Sequence, residues 1–406
     1  MSFNIDRTRE DFPILSRQIQ GNKLTYLDNA ASSQKPLEVL EGIKQFESSE
    51  YSNVHRGLHT LSVLSTSAYE ESRKIAQKFL NAKLPEEIIF TSGGTDSINL
   101  IASSFADENF IEGDEIIITT MEHHANIVPW HFLRERKGIK IKWIDCDQNG
   151  KFKLKQFEEA INSRTKLIAV TQMSNVLGVT PNIKKIINLA QSQNIPILID
   201  GCQGVVHEKI DLQDLGCDFY LFSGHKIYGP TGIGVLYVNS KYHDIMRPWR
   251  GGGDMIKQVK KEVITYNDAP NKFEAGTPNI TGAVGLGIAI KYFEKKINEG
   301  VFAHELKVSN YLHEQIKTIK DVIVYGEENF DSPIVTFNVK DQHPHDISTI
   351  IDNYGVAIRA GQHCCGPLMD LLGINASARA SIAMYTSEKD IDNFIEALEK
   401  SISLFK

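Results

Sequence analysis

Short apolar runs rich in β-branched residues recur along the first 240 positions: Ile88–Thr91, Glu115–Thr119, Ile139–Ile144, Leu167–Thr171 and Ile197–Ile199. Around them lie stretches with helical period, such as Leu64–Leu80 and Ile183–Gln193. That alternation predicts a parallel sheet covered by helices. Two more runs, Phe219–Phe222 and Gly234–Val238, are joined only by SGHKIYGPTGI, which is too short for a helical crossover. The last strand is therefore expected to run antiparallel, giving seven strands with six parallel. After Lys291 the texture changes: a charged helix-like stretch to Ile319 precedes Ile334–Val339, helix-like Asp346–Tyr354, Val356–Ala360, Ala378–Ala383 and an amphipathic end from Glu388. This predicts a smaller α+β domain.

Composition narrows the function classes. The chain has 406 residues, 41% hydrophobic and 23% charged, which excludes a collagenous or largely disordered protein. With 44 Lys and Arg against 51 Asp and Glu the net charge is −7, so no global positive field attracts nucleic acid or an anionic membrane. No apolar stretch is long enough for a signal peptide or a membrane span, and neither nucleic acid nor membrane is expected as a partner. The five cysteines, Cys146, Cys202, Cys217, Cys364 and Cys365, lack Cys-x-x-Cys spacing and fit neither a disulfide framework nor a zinc ribbon. A reducing, cytoplasmic location is expected. His123-His124 lacks the i, i+4 spacing that presents two ligands, and no metal site is expected.

In an open parallel sheet the ligand sits beyond the carboxyl ends of the strands. The runs end in Asp200, in Ser223-Gly224-His225-Lys226, in Ser92-Gly93-Gly94-Thr95 and in Met121-Glu122-His123-His124. The two glycines precede a helical pattern (Ile98, Ile101, Ala102, Phe105) and would expose backbone N–H groups to a phosphate. An ordinary glycine turn capped by Thr95 or Asp96 accounts for the same residues. Lys226 stands at a strand end in a glycine-lined loop, where a partly desolvated amine can attack a carbonyl. An acid at a neighbouring strand end, Asp200, is what pyridoxal phosphate needs to hold its ring nitrogen protonated.

The motifs TSGGTDSINL, MEHHANIVPW, ILIDGCQ, SGHKIYGPTGIG, FEAGTPN and RAGQHCC, in this order over nearly the whole chain, resemble the pyridoxal-phosphate cysteine desulfurases of group II, the SufS type. The resemblance implies an α/β, fold-type I architecture: an N-terminal segment 1–25 associated with the small domain, a large cofactor-binding domain 26–290, and a small domain 291–406 carrying the cysteine loop. It implies that Lys226 links to pyridoxal 5'-phosphate and then moves the α proton. Asp200 would pair with the ring nitrogen, Gln203 with the ring hydroxyl, and His123 would stack on the ring. Gly94, Thr95, Ser223 and His225 would hold the phosphate, with Thr277 reaching in from the second subunit of a homodimer. Asn175 would lie near ring and substrate.

It further implies that Arg379 grips the substrate carboxylate, a task suited to a guanidinium fork. Arg359 would position either the cysteine loop or the substrate. His55 would stand near the substrate, and a capping or packing histidine fits it equally. Cys364 would be the nucleophile, taking sulfur from L-cysteine as a persulfide, leaving L-alanine, and passing the sulfur to an acceptor protein of iron–sulfur cluster assembly. L-Selenocysteine cleavage is implied as a related activity, and kynureninase-like β-elimination is the neighbouring alternative. A nicotinamide site at Gly229–Gly234 is disfavoured, since those glycines precede a strand instead of a helix. The chain departs from many relatives at Cys365-Gly366, where they carry alanine and a larger residue. Neighbours in an extended loop point to opposite sides, so only one of the two thiols is expected to face the substrate, and the motif assigns Cys364.

Overall fold

Seven strands form the central sheet in the computed structural model, which describes residues 3–326 and 331–404. They are β1 Ile88–Thr91, β2 Glu115–Thr119, β3 Lys140–Ile144, β4 Thr165–Thr171, β5 Ile197–Asp200, β6 Phe219–Ser223 and β7 Gly234–Val238, in the order β1-β7-β6-β5-β4-β2-β3. β7 is antiparallel to β1 and β6, and every other neighbouring pair is parallel. Six strands thus share one direction, as expected from the short SGHKIYGPTGI connection. Residues in the central strands are buried on both faces, which explains continuous apolar runs in place of alternation. Edge strand β3, KIKWI, is only partly covered and carries the lysines.

One glycine positions the rim of this sheet. A Cβ on Gly234 would lie 2.6 Å from the Gly93 Cα, so only glycine lets β7 pass that backbone closely. The approach brings the ends of β1 and β6 together, where the Gly94 N–H donates to Ser223 Oγ at 2.8 Å.

The division expected after residue 290 falls inside a continuous helix, Ile280–Glu299, which Gly300 (φ 100°) ends before a second helix, Val301–Lys317. Its glycine-rich first half packs closely on other helices: a Cβ on Gly287 would meet Ser72 Oγ at 2.7 Å, and one on Gly285 would meet Ile43 Cδ1 at 2.8 Å. The glycines of this segment are there for close approach between helices.

A second, antiparallel sheet contains β8 Val322–Tyr325, β9 Ile334–Val339, β10 Arg359–Gly361 and β11 Ser377–Ser381, in the order β8-β9-β11-β10. Its apolar side packs against the helix Glu388–Ser403, whose buried residues include Ile391, Phe394 and Leu398. The strand expected over Val356–Ala360 is split: Val356–Ala357 pairs in parallel with Thr25–Tyr26, and only Arg359–Gly361 joins this sheet. Near the N-terminus, Arg9 pairs with Asp390 on the helix Glu388–Ser403, while Phe12 and Leu15 join the core of the large sheet. Among the described residues no helix is long and apolar enough to cross a membrane, and no cluster of three His, Cys, Asp or Glu could hold a metal ion.

Candidate active site

A cavity of about 280 Å³ opens at the carboxyl ends of the parallel strands, between the two sheets. Gly94, Thr95, His123, Asn175, Asp200, Gln203, Ser223, His225, Lys226, Arg359, Cys364 and Arg379 all line it. His55 and Thr277 do not.

Donors gather at one end. Gly93 (φ 150°) precedes the helix Gly94–Leu100, and a Cβ on Gly94 would stand 2.8 Å from Cys202 Sγ, so only glycine lets this turn lie against Cys202 and Ser223. Burial, reinforced by Lys226, pushes His225 down to about 4, so it is neutral near pH 7. A shallower groove leading past Trp249 and Arg250 shares Gly94, Thr95, Ser223 and His225 with the cavity but not Arg359, Cys364 or Arg379. The amide and hydroxyl donors therefore lie at the end away from Arg359 and Arg379.

Acid and amine stand in the middle, at adjacent strand ends. Asp200 is 6% exposed, and its Oδ1 accepts the Cys202 N–H at 3.0 Å. Lys226 closes the turn that follows β6. His123 Nδ1 accepts the Ala125 N–H at 3.1 Å, which puts the proton of the neutral ring on Nε2. Burial and then Lys226 hold His123 down at about 4. Gln203 Nε2 donates to the Ala30 carbonyl at 2.8 Å.

At the other end Arg359 on β10 and Arg379 on β11 are cross-strand partners. Arg379 is 2% exposed: Nη1 donates to the Asn175 carbonyl at 2.8 Å, Nη2 meets Asp28 Oδ1 at 3.3 Å, and Nε is buried without a partner. Burial pushes its guanidinium down to about 10, which leaves it cationic at neutral pH. Asp28 also faces Arg359 Nη1 at 3.4 Å, and burial raises its carboxyl while both arginines oppose that. Sequence reasoning missed Asp28; its only local signal is an acid two residues past the Thr25–Tyr26 strand.

The two thiols part company. Cys364 is exposed and lines the cavity, whereas Cys365 is fully buried beside Met121, Cys146 and Leu368. Burial pushes the Cys365 thiol far up. The separation was expected from an extended loop, but the cause is different: His363 (φ 52°) and Cys364 (φ 55°) are both left-handed and turn the chain between the thiols. His124 and His363 both hold this loop. His363 Nε2 lies 3.0 Å from the Ser377 carbonyl and His124 Nε2 accepts the Gly366 N–H at 3.0 Å. Burial and Arg379 push His363 down to about 3.

Outside the cavity, His55 Nε2 lies 3.0 Å from Glu70 Oε1, and that bond raises its pKa. Thr277 is exposed, just beyond Glu274, whose carboxylate pairs with buried Arg73 at 2.7 Å.

Residues 25–394 match the family described as Aminotransferase class-V. The chain belongs to the class-V aminotransferase family. It is 46% identical over 402 residues to a cysteine desulfurase of Wigglesworthia glossinidia brevipalpis, and 44% identical over 399 residues to one of Cronobacter sakazakii; each match covers 98% of both chains. The fold superposes with a TM-score of 0.93 on the apo structure of a cysteine desulfurase from Thermococcus onnurineus NA1, at 36% identity over 99% of both chains. The architecture is that of fold-type I, and the family's cofactor is pyridoxal phosphate. The cavity suits it: Gly94, Thr95 and the Ser223 hydroxyl at one end, an acid and an amine on neighbouring strands, and at the far end a buried guanidinium whose Nε has no partner.

Proposed function

We propose that this class-V aminotransferase family member is a group II cysteine desulfurase that converts L-cysteine to L-alanine and collects the sulfur on Cys364. One observation carries the reading: an exposed thiol shares a wall of one small cavity with Lys226, Asp200 and Arg379. Pyridoxal phosphate, when bound, supplies the electron sink that lets bonds to the substrate's carbons break.

This chain's residues do the rest. Gly94, Thr95, Ser223 and His225 would hold the phosphate, Asp200 would keep the ring nitrogen protonated, and Gln203, Asn175 and the neutral His123 ring would border the ring. Arg379 uses its free Nε, with Arg359 beside it, to fix the substrate carboxylate. The Lys226 amine takes the α proton and returns a proton to the carbon that loses sulfur. Cys364 Sγ attacks the substrate sulfur: an S–S bond forms as the C–S bond breaks, and the electron pair stays with carbon until it is protonated. L-Cysteine and an enzyme thiol become L-alanine and an enzyme persulfide, which an acceptor protein of iron–sulfur assembly then draws off.

The short Gln362–Cys365 link between β10 and the helix Gly366–Leu371 supports the group II assignment. A homodimer is supported by Thr277 and His55 lying outside their own chain's cavity, and by exposed Leu58 (99%), Leu61 (46%) and Leu64 (42%) nearby in sequence. Sedimentation giving the mass of two chains is the expected result. We place the division between large and small domains near Gly300 instead of residue 290, and five unbridged cysteines suit a reducing cytoplasm. Loaded enzyme given L-cysteine and a thiol reductant should release alanine and sulfide in equal amounts. Pyruvate and ammonia in place of alanine would overturn the proposal.

A further inference from the structure

Cys364 is exposed, yet the backbone around it is held on both sides. The His124 N–H donates to the Cys364 carbonyl at 2.7 Å, and His124 Nε2 accepts the Gly366 N–H at 3.0 Å, so one residue spans the loop across Cys365. Between these points the Cys365 thiol donates to the Glu122 carbonyl at 3.3 Å. On the opposite side Asn175 Nδ2 donates to the His363 carbonyl at 2.8 Å.

The anchor is itself rigid. The Glu122 carboxylate is fully buried and accepts bonds from Thr119 Oγ1 (2.7 Å), Asn126 Nδ2 (2.7 Å) and the Thr171 N–H (3.0 Å). The loop needs such support, because two consecutive non-glycine residues, His363 and Cys364, are held in the sparsely populated left-handed region. The Gly366 N–H is also one of the unpaired donors at the start of the helix Gly366–Leu371, so the imidazole satisfies a group that would otherwise go to water. A Cβ on Gly366 would sit 3.4 Å from His124 Nε2, which shows how closely the ring abuts the loop.

We propose that His124 is a positioning residue for the nucleophile: its Nε2 clips the Cys364 loop to the segment that carries His123, fixing the distance from Cys364 Sγ to the cavity. The adjacent histidines divide the work. His123 lines the cavity, and half-buried His124, which does not, holds the loop that supplies the thiol. The kinetic part of this inference rests on Cys364 being the nucleophile; the loop-holding part does not.

The test compares His124→Leu with His124→Gln, whose side-chain oxygen can accept the same N–H. In the cofactor-free chain, amide hydrogen exchange of the 361–367 peptide should quicken about tenfold in His124→Leu, with much of the protection restored in His124→Gln. In loaded enzyme, first-turnover persulfide formation should fall about ten- to a hundredfold in the leucine variant while L-cysteine affinity holds within about twofold, as expected when only the attack geometry is lost. Wild-type exchange and a wild-type first turnover in His124→Leu would refute the proposal. So would equal losses in both variants with a common drop in unfolding midpoint, since that marks a merely structural histidine. Quickened loop exchange in an enzyme that makes no alanine would sink the desulfurase reading and the kinetic part, while leaving the loop clip standing.

Discussion

Lys226→Ala is expected to lower alanine formation by at least about 10⁴-fold, the upper range of what one positioned proton-transfer group supplies. Lys226 is the only lysine among the described residues lining the cavity, so no second amine stands ready to bind the cofactor covalently or to move the α proton. Partial rescue by a neighbour is also poorly placed: His123 and His225 are both held down near 4 and already occupy the walls of the site. Borohydride reduction followed by peptide mass mapping should find the cofactor on Lys226 in the wild-type chain and on no residue in the variant. An unchanged urea midpoint would show that the variant is folded, because the partly exposed lysine makes no bond on which the core depends. Turnover near the wild-type rate, or a reduced adduct on another amine, would remove Lys226 from the mechanism.

Cys364→Ala should abolish persulfide formation and desulfuration of L-cysteine while still binding L-cysteine, since Arg379, Asn175 and Lys226 are untouched by the change. Cleavage of L-selenocysteine should survive better, because selenium leaves carbon without needing a thiol to draw it off. Cys365→Ala should behave differently. Its sulfur is buried among Met121, Cys146 and Leu368 and donates only a weak bond to a carbonyl, so its loss costs on the order of 1 kcal/mol of stability and leaves the first turnover close to normal. Alkylation of the native chain should follow the same division, with exposed Cys364 reacting and buried Cys365 spared. Sulfur mapped to Cys365 after one turnover, with Cys364→Ala still desulfurating cysteine, would show that the wrong thiol had been named.

The sequence alone determined what is local. Seven runs became the seven strands of the large sheet within a residue or two, because a strand buried on both faces must be continuously apolar, and only the partly covered edge strand β3 departs from that. Lys226, Asp200, His123 and Gly94 were legible for the same reason: each stands within four residues of the end of such a run, and a strand end in an open parallel sheet is where ligands sit. Which distant partner a residue meets was not legible. Asp28 takes its place through Arg379, 351 positions away, and His124 meets Gly366 across 242. Periodicity reports which face of one element is buried, and it holds no information on which distant element will cover that face. The helix running through residue 290 was missed because its glycines, unfavourable in an isolated helix, are required by partners at Ser72 and Ile43 that only packing supplies. Which cysteine faces the cavity was named from the motif, but two left-handed residues pinned from both sides decide it, a conformation that local propensity opposes and that tertiary hydrogen bonds impose.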